Sequence, residues 1–538
     1  MTAHAPSELK IFLPESESEA DTSMSDGVWA TVADRWAIFA IALMLVGSFF
    51  FVPADPDLWG HLQFGLEHIE SGKLATADPY AYTTEGQFWT NHEWMTEWAF
   101  GKCYLAAGAA GLLALRAALL TVTVVLLMGI VRRRNVQGIW LLGTGFLLLT
   151  VLSGLFRVRP QMFSYAFAAC LMAICDGYYA GKKNWLWLIP VMMVAWTNFH
   201  AGFVAGLGIF GFYWLSFVWA AWRAGDRREL ISLFLVMTLC CMATIVNPYG
   251  IYYWKYVLFA VALNRPSIPE WWPITQHNPM VIGYYLLMAL VPALLWIRNG
   301  IREGLKARPA EAFLFLLGVY MAAKHGRHLA FMCMFSMVFF ASQFSVFCEK
   351  FADQFKSIAN SRLAFSLLML PVVVGGVSNL STAAFNGQPK LFVSTQAYPV
   401  RAVEFLELNG IAGNLDCGFT WGEYCLFRLK DQCKVFCDGR YETVYPHRVS
   451  ELVLSLNDDP QEWAERVGEY PTEIIMLASH DKFAPWLDEQ GEFVRVYEDC
   501  GTIVFVRDNE KFAGTIAKSK SGDLIMPSKG PGKHAFPG

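Results

Sequence analysis

The stretch DPDLWGHLQFG, residues 55–65, places two carboxylates and one imidazole within seven positions, directly after an apolar run. If residues 57–70 form a helix, Asp57 and His61 lie four positions apart and share one face. Asp55 precedes them near the helix N-terminus, where a negative charge is favoured. Carboxylates at such a place can act as a general base or hold a divalent cation. A purely structural interpretation, a helix cap beside an interfacial Trp and His, stays open.

Further polar residues recur where apolar segments end. They are Asp78, His92, Glu93, Arg157, Arg159 and Arg327, in the segments DPYAYT, WTNHEWMTEW, FRVRPQ and KHGRH. WTNFHAGF and PEWWP follow the same pattern with His200 and Glu270, which receive no specific role. Arginine grasps a phosphate group through two parallel hydrogen bonds, although each one alone could be an ordinary snorkelling anchor. Carboxylates and cations gathered on one side of a membrane are what a lipid-phosphate donor requires.

The composition places these residues on a membrane protein. The chain has 538 residues, of which 55% are hydrophobic and only 16% are charged, whereas about 25% charged residues are typical of soluble domains. The net charge of −4 indicates no nucleic-acid partner. The apolar blocks predict a polytopic α-helical protein with about eleven spans. The spans lie near 36–52, 106–131, 138–156, 161–180, 185–197, 202–222, 230–246, 280–297, 310–323, 329–347 and 363–380.

The distribution of basic residues predicts the orientation. Fifteen Lys and Arg residues lie in the five short loops that follow the even-numbered spans, and such loops are cytoplasmic by the positive-inside rule. The N-terminal polar tail, 1–35, is then cytoplasmic, and 36–380 form the transmembrane domain with 53–105 as its first external loop. Everything after residue 381 is then outside the cytoplasm.

The C-terminal part has the pattern of a soluble domain. VRAVEFLELNG is an amphipathic helix that ends at a glycine, and KVFCDGRY, EIIMLAS, FVRVYED and GTIVFVRD are typical strands. We therefore predict an extracytoplasmic α/β domain over 391–508 and a disordered tail over 509–538. Since disulfides are permitted outside the cytoplasm, we also expect at least one bridge from the 417–425 segment to the 433–437 strand.

The first external loop, from DPDLWGH to NHEWMTEW, resembles that of GT-C fold glycosyltransferases. The resemblance is to the bacterial branch that includes protein mannosyltransferases and aminoarabinose transferases, and it covers most of the membrane part. The matching positions are Asp55, Asp57, Gly65, Ile69 (one position late), Gly72, Trp89, Glu93 and Trp94. This chain has Asp-Pro-Asp where better-known relatives often have Asp-Glu or a single Asp, so the choice of base between the two aspartates stays open.

The resemblance implies a sugar transfer on the outer face of a bacterial cytoplasmic membrane. The donor would be a polyprenyl-phosphate-linked sugar, and the acceptor a glycan, a lipid or a protein. Asp55 or Asp57 would deprotonate the acceptor hydroxyl, the other would orient it or bind Mg²⁺ or Mn²⁺, and His61 would belong to the same catalytic group. The remaining roles are donor phosphate binding by Arg157, Arg159 and Arg327, and shaping of the acceptor side by Asp78, His92 and Glu93.

Two other classes of protein compete with the enzyme. A transporter or flippase of lipid-linked glycans would place ionisable residues deep within its spans, and only Arg116 is a clear mid-span charge. A non-catalytic envelope-assembly protein would bind a partner through the C-terminal segments TWGEY and VFCDGRYETVYP, although CDGRY is also typical of a tight turn after a strand. Titratable groups clustered outside the membrane favour the enzyme over the transporter.

Overall fold

The computed structural model describes most of the chain, and apolar helices dominate its first two thirds. The described residues are 20–263, 265, 268–359, 363, 365–367, 369–370, 373–375, 377–378, 381, 391–454 and 460–538. The helices before residue 360 are α1 Ala20–Gly47, α2 Leu58–Ser71, α3 Trp94–Arg133, α4 Gly138–Leu155, α5 Gln161–Tyr179, α6 Leu188–Phe199, α7 Phe203–Ala224, α8 Arg227–Ala243, α9 Tyr252–Ala262, α10 Pro279–Asn299, α11 Ile301–Ala307, α12 Pro309–Lys324 and α13 Leu329–Ala359.

The described helices confirm an α-helical membrane protein without fixing the number of spans. Five segments are long and apolar enough to cross a membrane by length and composition: Trp94–Arg133, Gly138–Leu155, Phe203–Ala224, Pro279–Asn299 and Gly326–Cys348. Helix α6 has 12 residues, so it is about 18 Å long against about 30 Å of hydrocarbon. Much of the predicted eleventh span, 363–380, lies outside the described residues, and the count of about eleven stays a prediction.

The first external loop is built from α2 and the beginning of α3, which pack closely. Gly65 allows this approach, because a Cβ there would lie 1.9 Å from the backbone oxygen of Glu97. Gly72 ends α2 in the left-handed conformation, with φ of 66°. Helix α3 then kinks at Ala107 and Gly108, where φ reaches 58° at the glycine. The kink separates the loop part of α3 from the part that enters the membrane.

The C-terminal part is an α/β unit, as predicted. Its five-stranded sheet has the order β4-β3-β5-β7-β6, with β3 parallel to β4 and β5, and β7 antiparallel to β5 and β6. The strands are β3 Gly413–Cys417, β4 Cys433–Val435, β5 Ile474–Ala478, β6 Phe493–Glu498 and β7 Thr502–Arg507. The helices are α14 Val400–Asn409, α15 Gly422–Arg428, α16 His447–Leu454, α17 Pro460–Glu469 and α18 Phe483–Gln490.

The tail 509–538 is not disordered, which corrects the prediction. It forms α19, Ala513–Ser521, and β8, Lys533–Ala535. Strand β8 pairs antiparallel with β2, Leu391–Ser394, which in turn pairs with β1, Val52–Pro53, just before the first loop. Composition alone misled here, since a Lys-, Gly- and Pro-rich segment can be ordered when its backbone completes a sheet that other parts of the chain provide.

The predicted disulfide is also wrong, because all five cysteines of this domain are free thiols. Strand register explains why Cys433 does not bridge to Cys417. Cys433 lies opposite Gly413, which is at the other end of β3 from Cys417. Four residues of strand separate side chains by about 13 Å, well beyond the reach of a disulfide between bridged Cα atoms, about 7 Å.

Candidate active site

The predicted external segments converge on one cavity of about 790 Å³. Of the nine residues predicted from the sequence to form the site, eight line this cavity: Asp55, Asp57, His61, His92, Glu93, Arg157, Arg159 and Arg327. They come from the first loop and from the turns that follow α4 and α12, far apart in the sequence. The structure therefore brings together almost the whole predicted set.

Arg159 lies at the centre of the first polar cluster and pairs with three carboxylates. Its Nη2 is 2.5 Å from Asp57 Oδ2, its Nε 3.2 Å from Asp55 Oδ1, and its Nη1 3.2 Å from Glu270 Oε2. Arg157 lies on the outer side, 3.5 Å from Asp55. The Asp55 side chain is fully buried, whereas that of Asp57 is 26% exposed. Asp57 is thus the member of the Asp-Pro-Asp pair that a substrate can reach.

Glu93 lies at the centre of the second cluster, where three imidazoles surround its carboxylate. His92 Nε2 and His200 Nε2 lie 3.7 Å and 3.4 Å from Glu93 Oε1, and His61 Nε2 lies 3.6 Å from Oε2. His61 also contacts Glu97 through Nδ1 at 3.3 Å. Because Glu93 and Glu97 start α3 while His200 follows α6, this cluster ties the first loop to the outer end of the membrane helices.

Burial shifts the protonation equilibria of both clusters. It raises the pKa of Asp55 to about 6 and that of Glu93 to about 7, although neighbouring cations oppose both shifts. Burial lowers the pKa of His92 to about 3, so this imidazole is neutral. Burial also acts to lower the pKa of His61, but its hydrogen bond to Glu97 and the charge of Glu93 outweigh that effect and raise it. The site thus places histidines with oppositely shifted pKa values around the carboxyl group of Glu93.

One part of the remaining cavity lining is apolar. Helices α7, α9, α12 and α13 contribute it, through residues such as Ile209, Val257, Leu314, Leu317 and Phe331. Two small residues of this lining, Gly208 on α7 and Gly318 on α12, leave room along the helices. The cavity therefore has a charged end among the external loops and an apolar end among membrane helices.

The C-terminal domain forms one wall of the cavity. Phe419, Thr420, Glu423 and Tyr441 line it, and Glu423 Oε2 accepts a hydrogen bond from the Gly60 amide at 3.0 Å. Thr420 and Glu423 belong to the TWGEY segment and Tyr441 to the CDGRY segment. The segments thus form part of this cavity, in contrast to the partner surface considered from the sequence.

Asp78 does not line the cavity, which corrects its predicted position on the acceptor side. Its side chain is fully buried and accepts a hydrogen bond from Arg440 Nη1 at 2.7 Å. Thr84 Oγ1 and the Tyr80 amide donate to it as well, at 2.6 Å and 2.9 Å. With both carboxylate oxygens hydrogen-bonded within the protein, Asp78 holds the loop and the C-terminal domain together.

Asp55 and Asp57 do not fit the predicted Mg²⁺ or Mn²⁺ site. The Arg159 guanidinium already lies between them, at 3.2 Å and 2.5 Å, and supplies the positive charge there. Among the described residues, no group of three or more His, Cys, Asp or Glu side chains is arranged to hold a metal ion. The metal dependence stays a prediction.

Sequence reasoning gave no role to Glu97, Glu270, His200 and Glu423, which all line the cavity. For Glu97, Glu270 and His200 the sequence gave an indirect indication of a site. They lie in the segments NHEWMTEW, PEWWP and WTNFHAGF, which combine aromatic and titratable residues at the ends of apolar blocks. For Glu423 there is no local signal. Its hydrogen-bond partner Gly60 is 363 positions away, so only the folded chain shows their proximity.

Comparison with known proteins gives few matches. No family model matches the sequence, and no curated protein matches it. Crystal structures of ArnT from Cupriavidus metallidurans are similar in fold. The form bound to undecaprenyl phosphate is 12% identical, with a TM-score of 0.49, and the match covers 87% of this chain and 97% of that one. The apo form is 13% identical, with a TM-score of 0.47 and coverage of 89% and 98%. At these values the similarity gives no information about activity, which has to rest on the site.

Proposed function

We propose that this protein is an integral membrane glycosyltransferase that transfers a sugar from a polyprenyl-phosphate-linked donor to an acceptor on the extracytoplasmic face. The observation that carries the proposal is the shape and chemistry of one cavity, which joins an apolar space between membrane helices to a cluster of guanidinium and carboxylate groups. An isoprenoid chain fits the apolar end, and a phosphate fits the arginines. The reactive carboxylate then lies where the sugar would be.

Arg327 is the best-placed cation for the donor phosphate. Its guanidinium stacks on Trp271, with 4.3 Å from its central carbon to the ring centroid, and makes no hydrogen bond or ion pair among the described residues. Arg157 supports it, since its side chain is 52% exposed and only loosely paired. Arg159 is more engaged with carboxylates, so it holds the acid cluster in place and contributes positive charge to the phosphate.

Asp57 is the proposed general base. It accepts the proton of the acceptor hydroxyl while the oxygen of that hydroxyl attacks the anomeric carbon of the donor sugar. A new carbon–oxygen bond forms, the bond between the anomeric carbon and the phosphate oxygen breaks, and the lipid phosphate leaves with the bonding electrons. The buried Asp55 keeps Arg159 and the Asp57 backbone in position, the latter by accepting the Asp57 amide at 3.3 Å.

The acceptor side is proposed to lie between the second cluster and the C-terminal domain. The neutral His92 and the carboxylate of Glu93 supply polar contacts for a hydroxyl, and Thr420 and Tyr441 face the same space. His61 contacts both Glu93 and Glu97 and holds the two carboxyl groups in place. The identities of the sugar and of the acceptor are left to the assay.

The proposed orientation has the N-terminus in the cytoplasm and the α/β domain outside. The charged residues of the two clusters lie at one end of the helices, whereas basic residues of the predicted cytoplasmic loops meet at another site. Arg134 there pairs with Asp176 at 2.8 Å and with Glu311 at 2.6 Å. A reporter that is active only outside the cytoplasm, fused after residue 508, should be active; an expressed but inactive fusion would contradict this orientation.

The transporter alternative loses its main candidate residue. Arg116 is buried in α3 and donates to three backbone oxygens, those of Phe156 at 2.5 Å, Ser48 at 2.9 Å and Ser153 at 3.1 Å. A guanidinium used in this way joins helix ends and is not available to a moving substrate. The inactive assembly protein remains an alternative outcome of the assay.

The decisive experiment uses the purified protein in liposomes with a panel of radiolabelled polyprenyl-phosphate sugars and acceptor membranes. Time-dependent transfer by the wild type that is lost in Asp57→Asn supports the enzyme. Transmembrane movement of the labelled lipid without any transfer would support the transporter instead. The absence of both activities, with a folded protein, would favour the assembly role. A chelator added to an active sample tests the predicted divalent cation.

A further inference from the structure

Helix α2 lacks the usual cap from its own N-terminal residue. Asp57 occupies the N-cap position, but its side chain makes no capping hydrogen bond. Its carboxylate is turned to Arg159 instead, at 2.5 Å. The first amides of a helix have no partner within the helix, and an N-cap side chain normally accepts from the second or third residue. The third residue of α2 is Gly60.

Glu423 supplies this missing acceptor from the C-terminal domain. Its Oε2 accepts the Gly60 amide at 3.0 Å, and its side chain is almost completely buried. Helix α15, which carries Glu423, packs directly on α2. A carboxyl group from another part of the chain therefore takes the position that the Asp57 side chain would otherwise fill.

Two glycines make room for this arrangement. A Cβ on Gly60 would lie 2.5 Å from Glu423 Oε2, and a Cβ on Gly439 would lie 2.5 Å from Glu423 Oε1 and 2.9 Å from Asp57 Oδ1. The carboxyl groups of Glu423 and Asp57 thus lie side by side against Gly439. Burial, reinforced by the charge of Asp57, raises the pKa of Glu423 well above its ordinary value.

We propose that Glu423 is a positioning residue that caps α2 in place of Asp57 and thereby leaves the Asp57 carboxylate free for proton transfer. Without Glu423, Asp57 would turn back to cap its own helix and would leave Arg159. The consequence for catalysis rests on the proposed function, whereas the capping itself does not. The C-terminal domain then contributes a positioning residue to the site in addition to lining the cavity.

Hydrogen exchange on the full-length protein in detergent tests the capping without any need for activity. Glu423→Ala should increase the exchange rate in peptides covering 57–65 by about tenfold, the size expected for loss of a cap. Glu423→Gln keeps an acceptor oxygen and should exchange like the wild type. Glu473→Ala is the matched control, because Glu473 accepts the Asn414 amide at the same distance of 3.0 Å in the same domain. Unchanged exchange in a folded Glu423→Ala would overturn the proposal.

Transfer assays test the consequence for Asp57. In Glu423→Ala, kcat should fall by about tenfold or more with little change in donor KM, and Glu423→Gln should restore it. Equal losses in Ala and Gln variants, or a loss that appears only in donor KM, would overturn the positioning role. If the wild type shows no transfer at all, the proposed function fails, while the exchange experiment still decides whether Glu423 caps α2.

Discussion

Two clusters in this protein are built alike, each from one arginine between two aspartates, yet one is sealed and the other is open. In the sealed cluster, Arg440 pairs with Asp78 and Asp438, both at 2.7 Å. The arginine side chain is 4% exposed and both aspartates are fully buried. Tyr445 donates to Asp438 at 2.8 Å, and the rings of Phe64, Tyr80 and Trp89 surround the guanidinium.

The open cluster uses the same residue types with a different result. Arg159 pairs with Asp55 and Asp57, but its side chain is 20% exposed and that of Asp57 is 26% exposed. Glu270 adds a third carboxylate to this cluster. Both clusters begin at an Asp-Pro dipeptide of the first loop. The comparison teaches that the Asp-Pro motif does not determine whether a cluster is structural or catalytic. That depends on whether one of the carboxylates has access to the cavity.

Removing the sealed cation should have the largest effect on stability. Arg440→Met leaves two buried carboxylates without their partner, and breaking such a group costs about 3–5 kcal/mol. We expect a strongly reduced yield of folded protein and a much lower unfolding temperature in detergent. Arg159→Met is the comparison variant in the open cluster and should unfold close to the wild-type temperature. Equal destabilisation by both variants would remove the distinction between the clusters.

Asp57→Asn should have the largest effect on catalysis. The amide keeps the shape but cannot accept the proton, so transfer should fall by about 100-fold or more with an unchanged unfolding temperature. Asp438→Asn, at the corresponding place in the sealed cluster, should instead lower the unfolding temperature. Near-normal transfer by Asp57→Asn would show that this carboxylate is structural, like Asp78.

Arg327→Ala should weaken donor binding without removing the catalytic group. A hydrogen bond to a charged group contributes about 1.5–3 kcal/mol, so we expect the donor KM to rise by about 10- to 100-fold with a smaller change in turnover at saturation. Arg327→Lys keeps the charge but loses the planar stacking on Trp271. Its donor KM should therefore lie between that of the wild type and that of Arg327→Ala. A donor KM unaffected by both substitutions contradicts the role in phosphate binding.

The smallest expected effect concerns pH. Burial raises the pKa of Asp55 from 3.8 to about 6, so the folded protein binds this proton more tightly than the unfolded chain. The resulting stabilisation is complete below the pKa that the Asp55 carboxyl group has in the unfolded chain, and it disappears as the pH rises through about 6. The unfolding temperature of the wild type, relative to Asp55→Asn, should therefore fall between pH 4 and pH 7. A difference that does not vary with pH would show that Asp55 is not neutralised by folding.

The sequence by itself determined what depends on local pattern. The apolar blocks indicated membrane helices, the alternating strands indicated a C-terminal α/β unit, and the aromatic and acidic loop segments indicated a polar site. Eight of the nine predicted site residues line the cavity, because residues at equivalent ends of neighbouring helices must meet when the helices pack. Such predictions need only the periodicity and the end of each element.

Only the tertiary structure decided which of these residues have access to the cavity. Asp57 and Asp78 lie in the same loop and each is next to a proline, and nothing in that sequence shows that Arg440 seals Asp78. The tail 509–538 was predicted to be disordered, yet its strand pairs with β2. Glu423 gave no local signal, because its partner Gly60 comes from the first loop. Burial and long-range pairing are properties of the packed chain, so they set the pKa values and the exposure that separate a structural carboxylate from a reactive one.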